Sequence, residues 1–282
     1  MQHRLKLLFV SDLYYPAKGR VYRNEDLFVV DQLRGRFEIA LCQPTHAISF
    51  LDAADVVVVR NSGPVLHCRE EYRAFREAAA ARNVCVYNPL TGKGDMQAKQ
   101  HLLDLFAAGY PVIPTVDRVD DLDRLGPSTR LVVKRHDGSD SIGMFTEDRE
   151  EVMGRSLENM LVQPFVAFDY EVSFYFVDHE FHYALYAPDS AKRWELVRSE
   201  PTADDLAFAQ RFIEWNDLSH GIQRVDACRV SATGELLLVE LEDHNPYLSL
   251  DALSNDERVH FIDRMAASIA AWHEVWLERV GR

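Results

Sequence analysis

Long apolar runs, basic runs and paired cysteines are all scarce in this sequence, and each scarcity excludes a class of function. The first apolar stretch, residues 5–10, falls far short of the roughly 20 residues that cross a bilayer and is shorter than a signal-peptide core of about 7–15 residues. Ser11, Asp12 and Pro16 follow it closely, so it reads as an opening strand. The four cysteines, Cys42, Cys68, Cys85 and Cys228, have no CxxC spacing and lie mostly in apolar runs. Buried, reduced thiols are expected rather than disulfides or a zinc site, which fits a cytoplasmic protein. Lysine and arginine total 31 against 45 acidic residues, a net charge of −14, so polyanions are repelled on average. Neither nucleic acid nor a membrane is expected as a partner.

Several catalytic signatures are also missing. Gly92-Lys93-Gly94 hints at a phosphate loop but lacks the upstream glycine and the Ser/Thr after lysine, so a plain turn is expected. The histidines form no HExxH or i,i+4 pair, and His273 and Glu274 read as helix surface. No Ser-His-Asp or Cys-His arrangement is evident.

What remains is a globular chain. With 47% hydrophobic residues it can bury a sizeable core, and 282 residues are long for one compact domain, so two lobes are expected. Short apolar runs at 6–10, 37–41, 56–60 and 84–87 alternate with helical patterns at 25–33 and 70–82, the signature of a parallel α/β unit. Its ligand edge lies at the carboxyl ends of the strands, where Arg60 and Asn61 fall. A new unit begins after Asn88 and Pro89, with a helix over 96–108 stopped by Gly109 and Pro111. Residues 116–164 read as a small α+β lid, with strands at 131–134 and 161–163 around a polar Gly/Ser/Asp loop. Two alternating strands over 171–187, a helix near 204–215, strands at 223–230 and 235–242 and a closing helix from Asn255 complete the chain.

Two constellations carry chemistry. Arg224-Val225-Asp226 and Leu238-Val239-Glu240-Leu241-Glu242 lie on strands joined by a turn at Thr233-Gly234, and alternation brings Arg224, Asp226, Glu240 and Glu242 to one face. Like charges about 4 Å apart repel by about 4 kcal/mol at an effective dielectric constant of ~20, so three converging carboxylates call for cations. Hard oxygen ligands favour Mg²⁺ or Mn²⁺; the competing reading is a solvated edge paired with Lys and Arg. The second constellation is Lys134 ending a strand before Gly138, Ser139, Asp140, Ser141, Ile142 and Gly143, a loop able to offer N–H groups to phosphates. Taken alone it reads equally as an ordinary hairpin, and the segment Asp95 to Lys99 as a solvated helix end.

Taken in order, the segments from Asn88 to Leu250 resemble the ATP-grasp superfamily, which includes glutathione synthetase, D-alanine:D-alanine ligase and ribosomal-protein glutamate ligases. The stretch NPLTGKGDMQAKQHLLDLFAAGYPVIPT is similar to the family segment bearing the first ATP-phosphate lysine, here Lys99. VVKRHDGSDSIGM resembles the second lysine, Lys134, and the lid loop from Gly138 through Ser139 and Ser141 to Gly143, with Arg135 replacing the usual proline. LVQPFVAFDYEVSF is similar to the strand lining adenine, so Gln163 and the backbone of Phe165 and Val166 would face the base. Glu171 would take the ribose hydroxyls, with Asp169 as its rival. RVD and ELEDHNP resemble the metal strands and assign Asp226, Glu240 and Glu242 to two Mg²⁺ (or Mn²⁺) ions. Glu242 stands where the family has asparagine, leaving Asn245 as a substitute.

The resemblance implies an N-terminal parallel α/β domain over 1–92 followed by an ATP-grasp fold over 93–282, two α+β lobes gripping ATP, with 117–165 as the lid. It implies a carboxylate-amine ligase acting through an acyl phosphate on small-molecule substrates, an amino acid or small peptide, with Arg224 stabilising the tetrahedral oxyanion. Substrate contacts are open among Arg60, Asn61, Glu25, Tyr186, Lys192 and Arg193. A kinase on the same fold, a non-catalytic nucleotide-binding protein and a metabolite-binding α/β module are the alternatives. The closing helix, with Trp272 and Trp276, serves either a homodimer interface or the core.

Overall fold

The computed structural model describes residues 4–14, 21–60, 69–138, 143–189, 192 and 195–281. Its first sheet is parallel, with order β2-β1-β3-β4: β1 (Lys6–Val10), β2 (Glu38–Cys42), β3 (Val56–Val59) and β4 (Val86–Tyr87). The four valines of β3 are buried throughout, the continuous pattern of a strand covered on both faces. On one face Leu7, Phe9, Val56 and Val58 meet Val29 and Leu33 of α1 (Tyr22–Leu33). On the other, Leu8, Val10 and Val57 meet Ala47 of α2 (Ala47–Phe50) and Phe75 and Ala79 of α3 (Arg69–Ala81).

Residues 93–136 pass from a loop through α4 (Gln100–Ala107) into a small antiparallel sheet of order β6-β5-β7. Its strands are β5 (Arg130–Arg135), β6 (Phe145–Asp148) and β7 (Met160–Pro164), with α5 (Arg149–Met153) packed through Val152 onto Leu131 and Val162. The helix expected over 96–108 is interrupted. Asp95–Gln97 form a 3₁₀ turn, Ala98 takes φ +57°, and α4 starts only at Gln100. The reason is tertiary: the Lys99 N–H donates to the His136 carbonyl, while Asp95 accepts N–H groups from Asp243 and His244, so the chain leaves the helical path to make these bonds.

The largest sheet is antiparallel, order β10-β9-β8-β11-β12, from β8 (Phe168–Val177), β9 (Glu180–Tyr186), β10 (Val197–Ser199), β11 (Ile222–Val230) and β12 (Leu236–Glu242). One face, with Phe174, Phe176, Val225 and Leu238, packs on α4 and on α6 (Ala203–Asn216). The opposite face packs Tyr175, Tyr183 and Leu185 against α7 (Asn255–Val280) and, through it, against the first sheet. Trp272 is buried there and its Nε1 donates to the Val86 carbonyl at 2.9 Å, while Trp276 packs partly buried against the same core. Both tryptophans of the closing helix thus contribute to the core. Cys42, Cys85 and Cys228 carry free thiols, and no helix among the described residues is long and apolar enough to cross a membrane.

A buried ion network fastens the first sheet to the loop after β12. Arg60, 1% exposed, pairs with Glu25 at 3.1 Å and Asp26 at 3.5 Å and donates to the Pro246 carbonyl at 2.7 Å. Glu25 also accepts the Leu248 and Leu250 N–H groups at 2.8 and 3.0 Å. Removing Glu25 leaves two buried N–H groups without an acceptor and deprives the buried Arg60 of one of its two carboxylates. Glu25→Ala is therefore expected to lose about 3–5 kcal/mol of unfolding free energy in urea titration, whereas Asp263→Ala, which breaks the half-exposed pair with Arg36, loses less than ~1 kcal/mol. Equal small losses would show that the network does not hold the two parts together.

Candidate active site

The site grows from the register of β11 and β12. Arg224 lies opposite Glu242 and Asp226 opposite Glu240, with a bulge just after Asp226. On the other side β8 places Tyr175 beside Arg224 and Ser173 beside Asp226. Alternation thus brings one arginine and three carboxylates to one half-buried face, as the sequence pattern predicts.

Arg224 organises that face. Its Nε and Nη2 grip Asp226 bidentately, at 2.9 and 2.8 Å, Nη2 also donates to Glu242, and Nη1 donates to the Tyr247 carbonyl at 2.9 Å. Four of its five N–H groups are engaged, so a single Nη1 donor is left over. Ser173 Oγ donates to Asp226 at 2.6 Å, so both Asp226 oxygens are occupied. Glu240 is held by Lys99 Nζ. Burial works against both charges, yet each stabilises the other: Lys99 stays above the ordinary lysine range, and Lys99 with Lys134 holds Glu240 down at about 2.

Burial outweighs the neighbouring charges at two groups. Burial pushes Glu242 up to about 8 against the pull of Arg224, with Asp226 and Glu240 adding to the rise. Burial, with the neighbouring charge of Lys99, brings Lys134 down to about 7 despite Glu240. Among the described residues the Lys134 ammonium has neither an ion-pair nor a hydrogen-bond partner. A second cation beside an already paired lysine is an arrangement that an anion would relieve.

The loop that carries Lys99 is clasped to β12 by two aspartates, a feature the sequence reading missed. Asp243 accepts N–H groups from Gly94 and Met96 at 2.7 and 3.0 Å, and Asp95 accepts those of Asp243 and His244 at 2.6 and 2.8 Å. Burial and the adjacent Asp243 push the Asp95 carboxyl well above the usual carboxylate range. Gly92-Lys93-Gly94 is indeed a turn, yet its glycines are required. A Cβ on Gly92 would strike the Asp243 carboxylate, and one on Gly94 would stand 2.6 Å from the Leu241 carbonyl. The available signal was the pairing of a Gly-x-Gly turn with an acidic residue just beyond the metal-type strand.

The remaining candidates are distributed as follows. Gly138 and Gly143 bracket the lid loop, and Gly143, at φ +72°, packs its α-carbon against the Arg135 side chain; Ser139 and Ser141 lie outside the described residues. Gln163 is buried and donates to Thr115 at 2.8 Å. The Phe165 N–H is committed to the Arg130 carbonyl, so the unbonded amide of this pair among the described residues is that of Val166. Glu171 and Asp169 both alternate onto the face of Ser173, with Glu171 half-buried and Asp169 exposed. Arg60 is locked in the buried network rather than open to a ligand, and Tyr186 turns to the α6 face against Tyr170. That corrects two substrate candidates: strand alternation puts Tyr186 on the opposite side of the sheet from Arg224. Asn61 and Arg193 lie outside the described residues, and Lys192 pairs with Glu195 at 3.1 Å.

The carboxylates fit a divalent cation in donor chemistry, since Glu240 and Glu242 each keep an oxygen outside their ion pairs. As they stand among the described residues, no three acidic, histidine or cysteine groups are close enough to hold one, because Arg224 and Lys99 occupy the space between them. Both sequence readings of this face therefore meet here: the acids converge in a buried setting, and they are paired with lysine and arginine.

His101 reports on the integrity of this region. Its Nε2 accepts the Leu241 N–H at 3.3 Å while Nδ1 contacts the Ala98 carbonyl at 3.1 Å, which requires a neutral ring protonated on Nδ1. Burial holds its pKa at about 3. The unfolded chain binds this proton near pH 6.5 and the folded chain does not, so stability falls as pH drops from about 6.5 toward 3. Wild type is expected to lose up to about 1.4 kcal/mol per pH unit between pH 6 and 4 beyond the loss seen in His101→Gln, read from urea unfolding at each pH. Parallel slopes would mean that the ring is not buried neutral.

No family profile and no curated protein matches the sequence. Solved structures do match. D-cycloserine synthetase DcsG superposes with a TM-score of 0.72 at 22% identity, over 94% of this chain and 99% of that one. D-alanine–D-alanine ligase from Bacillus anthracis in complex with ATP gives 0.67 at 13% identity, over 96% and 99%. ATP-grasp ligase PsnB, in complex with a phosphomimetic variant of its minimal precursor, Mg and ADP, gives 0.62 at 14%, over 93% and 98%. Identities this low speak for the fold and not for a shared substrate: over nearly its whole length, the chain has the ATP-grasp fold.

Proposed function

We propose that the protein is an ATP-dependent carboxylate-amine ligase. The observation that carries this reading is Lys134, a largely desolvated cation with no protein partner, set beside the Lys99–Glu240 pair and at the root of the Gly138–Gly143 loop. Two lysines against one carboxylate leave a net positive pocket, the requirement for a polyphosphate. In this reading residues 1–92 form the first domain, 93–282 the ATP-grasp unit and 117–165 the lid. Residues 163–166 would border the adenine and Glu171 or Asp169 the ribose. The neighbouring structures, which include complexes with ATP and with Mg and ADP, support this reading by analogy of fold.

Glu240 and Glu242 would hold the divalent cation, with Asp226 behind them or Asn245 beside them. When bound, Mg²⁺ supplies charge neutralisation at the phosphates. Lys99 and Lys134 neutralise the transferring phosphoryl group, which a substrate carboxylate accepts to give an acyl phosphate. An amine then displaces phosphate to form the amide. The remaining Nη1 donor of Arg224 would stabilise the oxyanion that develops in that second step, with its plane fixed by the grip on Asp226 and Glu242. Closure of the lid loop excludes water, which would otherwise hydrolyse the acyl phosphate.

A functional charge differs from a structural one in what its removal does to stability. Lys134→Met is expected to leave thermal stability unchanged or raised, because a desolvated, unpaired ammonium is lost, while Mg-ATP affinity measured by calorimetry falls about 10- to 100-fold, as for a lost charged hydrogen bond of about 1.5–3 kcal/mol. A Lys134→Met protein that binds Mg-ATP like wild type would remove the reading. Phosphate release against paired amino acids, with mass spectrometry of the products, then separates a ligase, which yields an amide and free phosphate, from a kinase, which yields neither.

A further inference from the structure

The end of β5 passes into a turn over residues 135–138, closed by the Gly138 N–H on the Arg135 carbonyl at 3.2 Å. Lys134 immediately precedes it. Three bonds hold the turn within its own unit. The Lys99 N–H donates to the His136 carbonyl and the His136 N–H to the Asn159 carbonyl, both at 3.0 Å, and Asn159 Nδ2 donates to the Asp137 carboxylate at 3.0 Å.

Arg135 stands where the resembled segment carries proline, and the turn shows what an arginine does there. Its Nε and Nη2 donate to Asp137 at 3.0 and 3.4 Å, a fork across one carboxylate. Its side-chain carbons lie against Gly143, where a Cβ would stand 3.1 Å from Arg135 Cδ. One side chain thus joins the two described ends of the 138–143 loop.

A second guanidinium reaches the same carboxylate from outside the unit. Arg69, the first residue of α3, pairs its Nη2 with Asp137 Oδ2. The positive end of a helix suits Glu70 and Glu71 but not a cation, so Arg69 finds its counter-charge off the helix. The Asp137 side chain is 17% exposed and that of Arg69 48%, so the carboxylate is fixed by its own unit while solvent competes for the arginine. Among the described residues no other ion pair joins residues 1–92 to 117–165, and the apolar core under the small sheet takes in nothing before Phe106. The contact is therefore electrostatic, reversible and open to screening by salt.

We propose, resting on the ligase reading above, that Arg69 is a positioning residue that docks the small sheet β6-β5-β7 onto α3 through Asp137 and thereby sets how fast nucleotide enters and leaves. Docked, the turn holds Lys134 beside the Lys99–Glu240 pair. Undocked, the small sheet carries Lys134 away and opens the phosphate pocket. Arg135 makes the coupling stiff, because Asp137 and Gly143 move with it. The pair uses no atom of the nucleotide, so it slows entry and exit alike and has little effect on affinity.

Stopped-flow binding of a fluorescent ATP analogue with Mg²⁺ tests this. Arg69→Gln is expected to raise the association and dissociation rates alike by about two- to fivefold, the scale of one partly exposed ion pair, with the dissociation constant and thermal melting unchanged. Arg69→Lys keeps rates close to those of wild type, and added salt speeds dissociation more in wild type than in Arg69→Gln. Separately, a water-soluble carbodiimide applied to Arg69→Lys without nucleotide is expected to form an amide between the substituted side chain and Asp137, seen by peptide mass spectrometry and lost in Arg69→Lys/Asp137→Asn. Rates of Arg69→Gln equal to those of wild type, or absence of the cross-link, would overturn the assignment. The two readings fail separately: no Mg-ATP binding by wild type, with the cross-link present, removes the ligase and keeps the docking, whereas Mg-ATP binding without the cross-link removes the docking alone.

Discussion

Two aspartates 148 residues apart in the chain, Asp95 and Asp243, each satisfy the backbone of the other's segment, and the rest of the site depends on that reciprocity. The bonds fix the loop before α4 against the end of β12, and the loop must break its helical course at Ala98 to make them. In return Lys99 arrives beside Glu240. Without the clasp, Glu240 would be a buried carboxylate that has lost its ion-pair partner, a state costing several kcal/mol. The two glycines of the preceding turn are needed for the same reason, because the Asp243 carboxylate fills the space that side chains at 92 and 94 would take.

Around this clasp the charges nearly balance. Arg224 and Lys99 are consumed by Asp226, Glu242 and Glu240, whereas Lys134 is left over and burial makes Glu242 reluctant to ionise. A structure selected for stability alone would replace such groups by packed apolar residues. Retaining them where a polyphosphate and a divalent cation would supply the missing partners is the physical argument for catalysis, and it is independent of the fold comparison.

The architecture was legible in the sequence wherever burial follows a short period. β1 and the start of α7 fall at the expected residues, and the ends of the other expected strands shift by one to three, because four- and five-residue apolar runs leave few alternatives. The acids of β11 and β12 were legible for the same reason: a period of two puts Arg224, Asp226, Glu240 and Glu242 on one face once a hairpin is assumed. The strands β10 and β6 carry only one apolar residue each, Val197 and Phe145, so no hydrophobic run marked them. The break at Ala98 opposed local helix preference and could not be seen either.

The sequence by itself determined the parallel first unit, the placement of the lysines ahead of the acidic strands, and the side of the sheet on which Arg224 and the carboxylates stand. All of these follow from local periodicity and order along the chain. Only the tertiary structure decided which charges neutralise one another, that Arg60 and Glu25 form a buried fastening, and that Tyr186 faces away from the site. It also decided that Trp272 belongs to the core. These are relations between segments as much as 225 residues apart, and no local preference encodes the partner that a side chain meets once the sheets have packed.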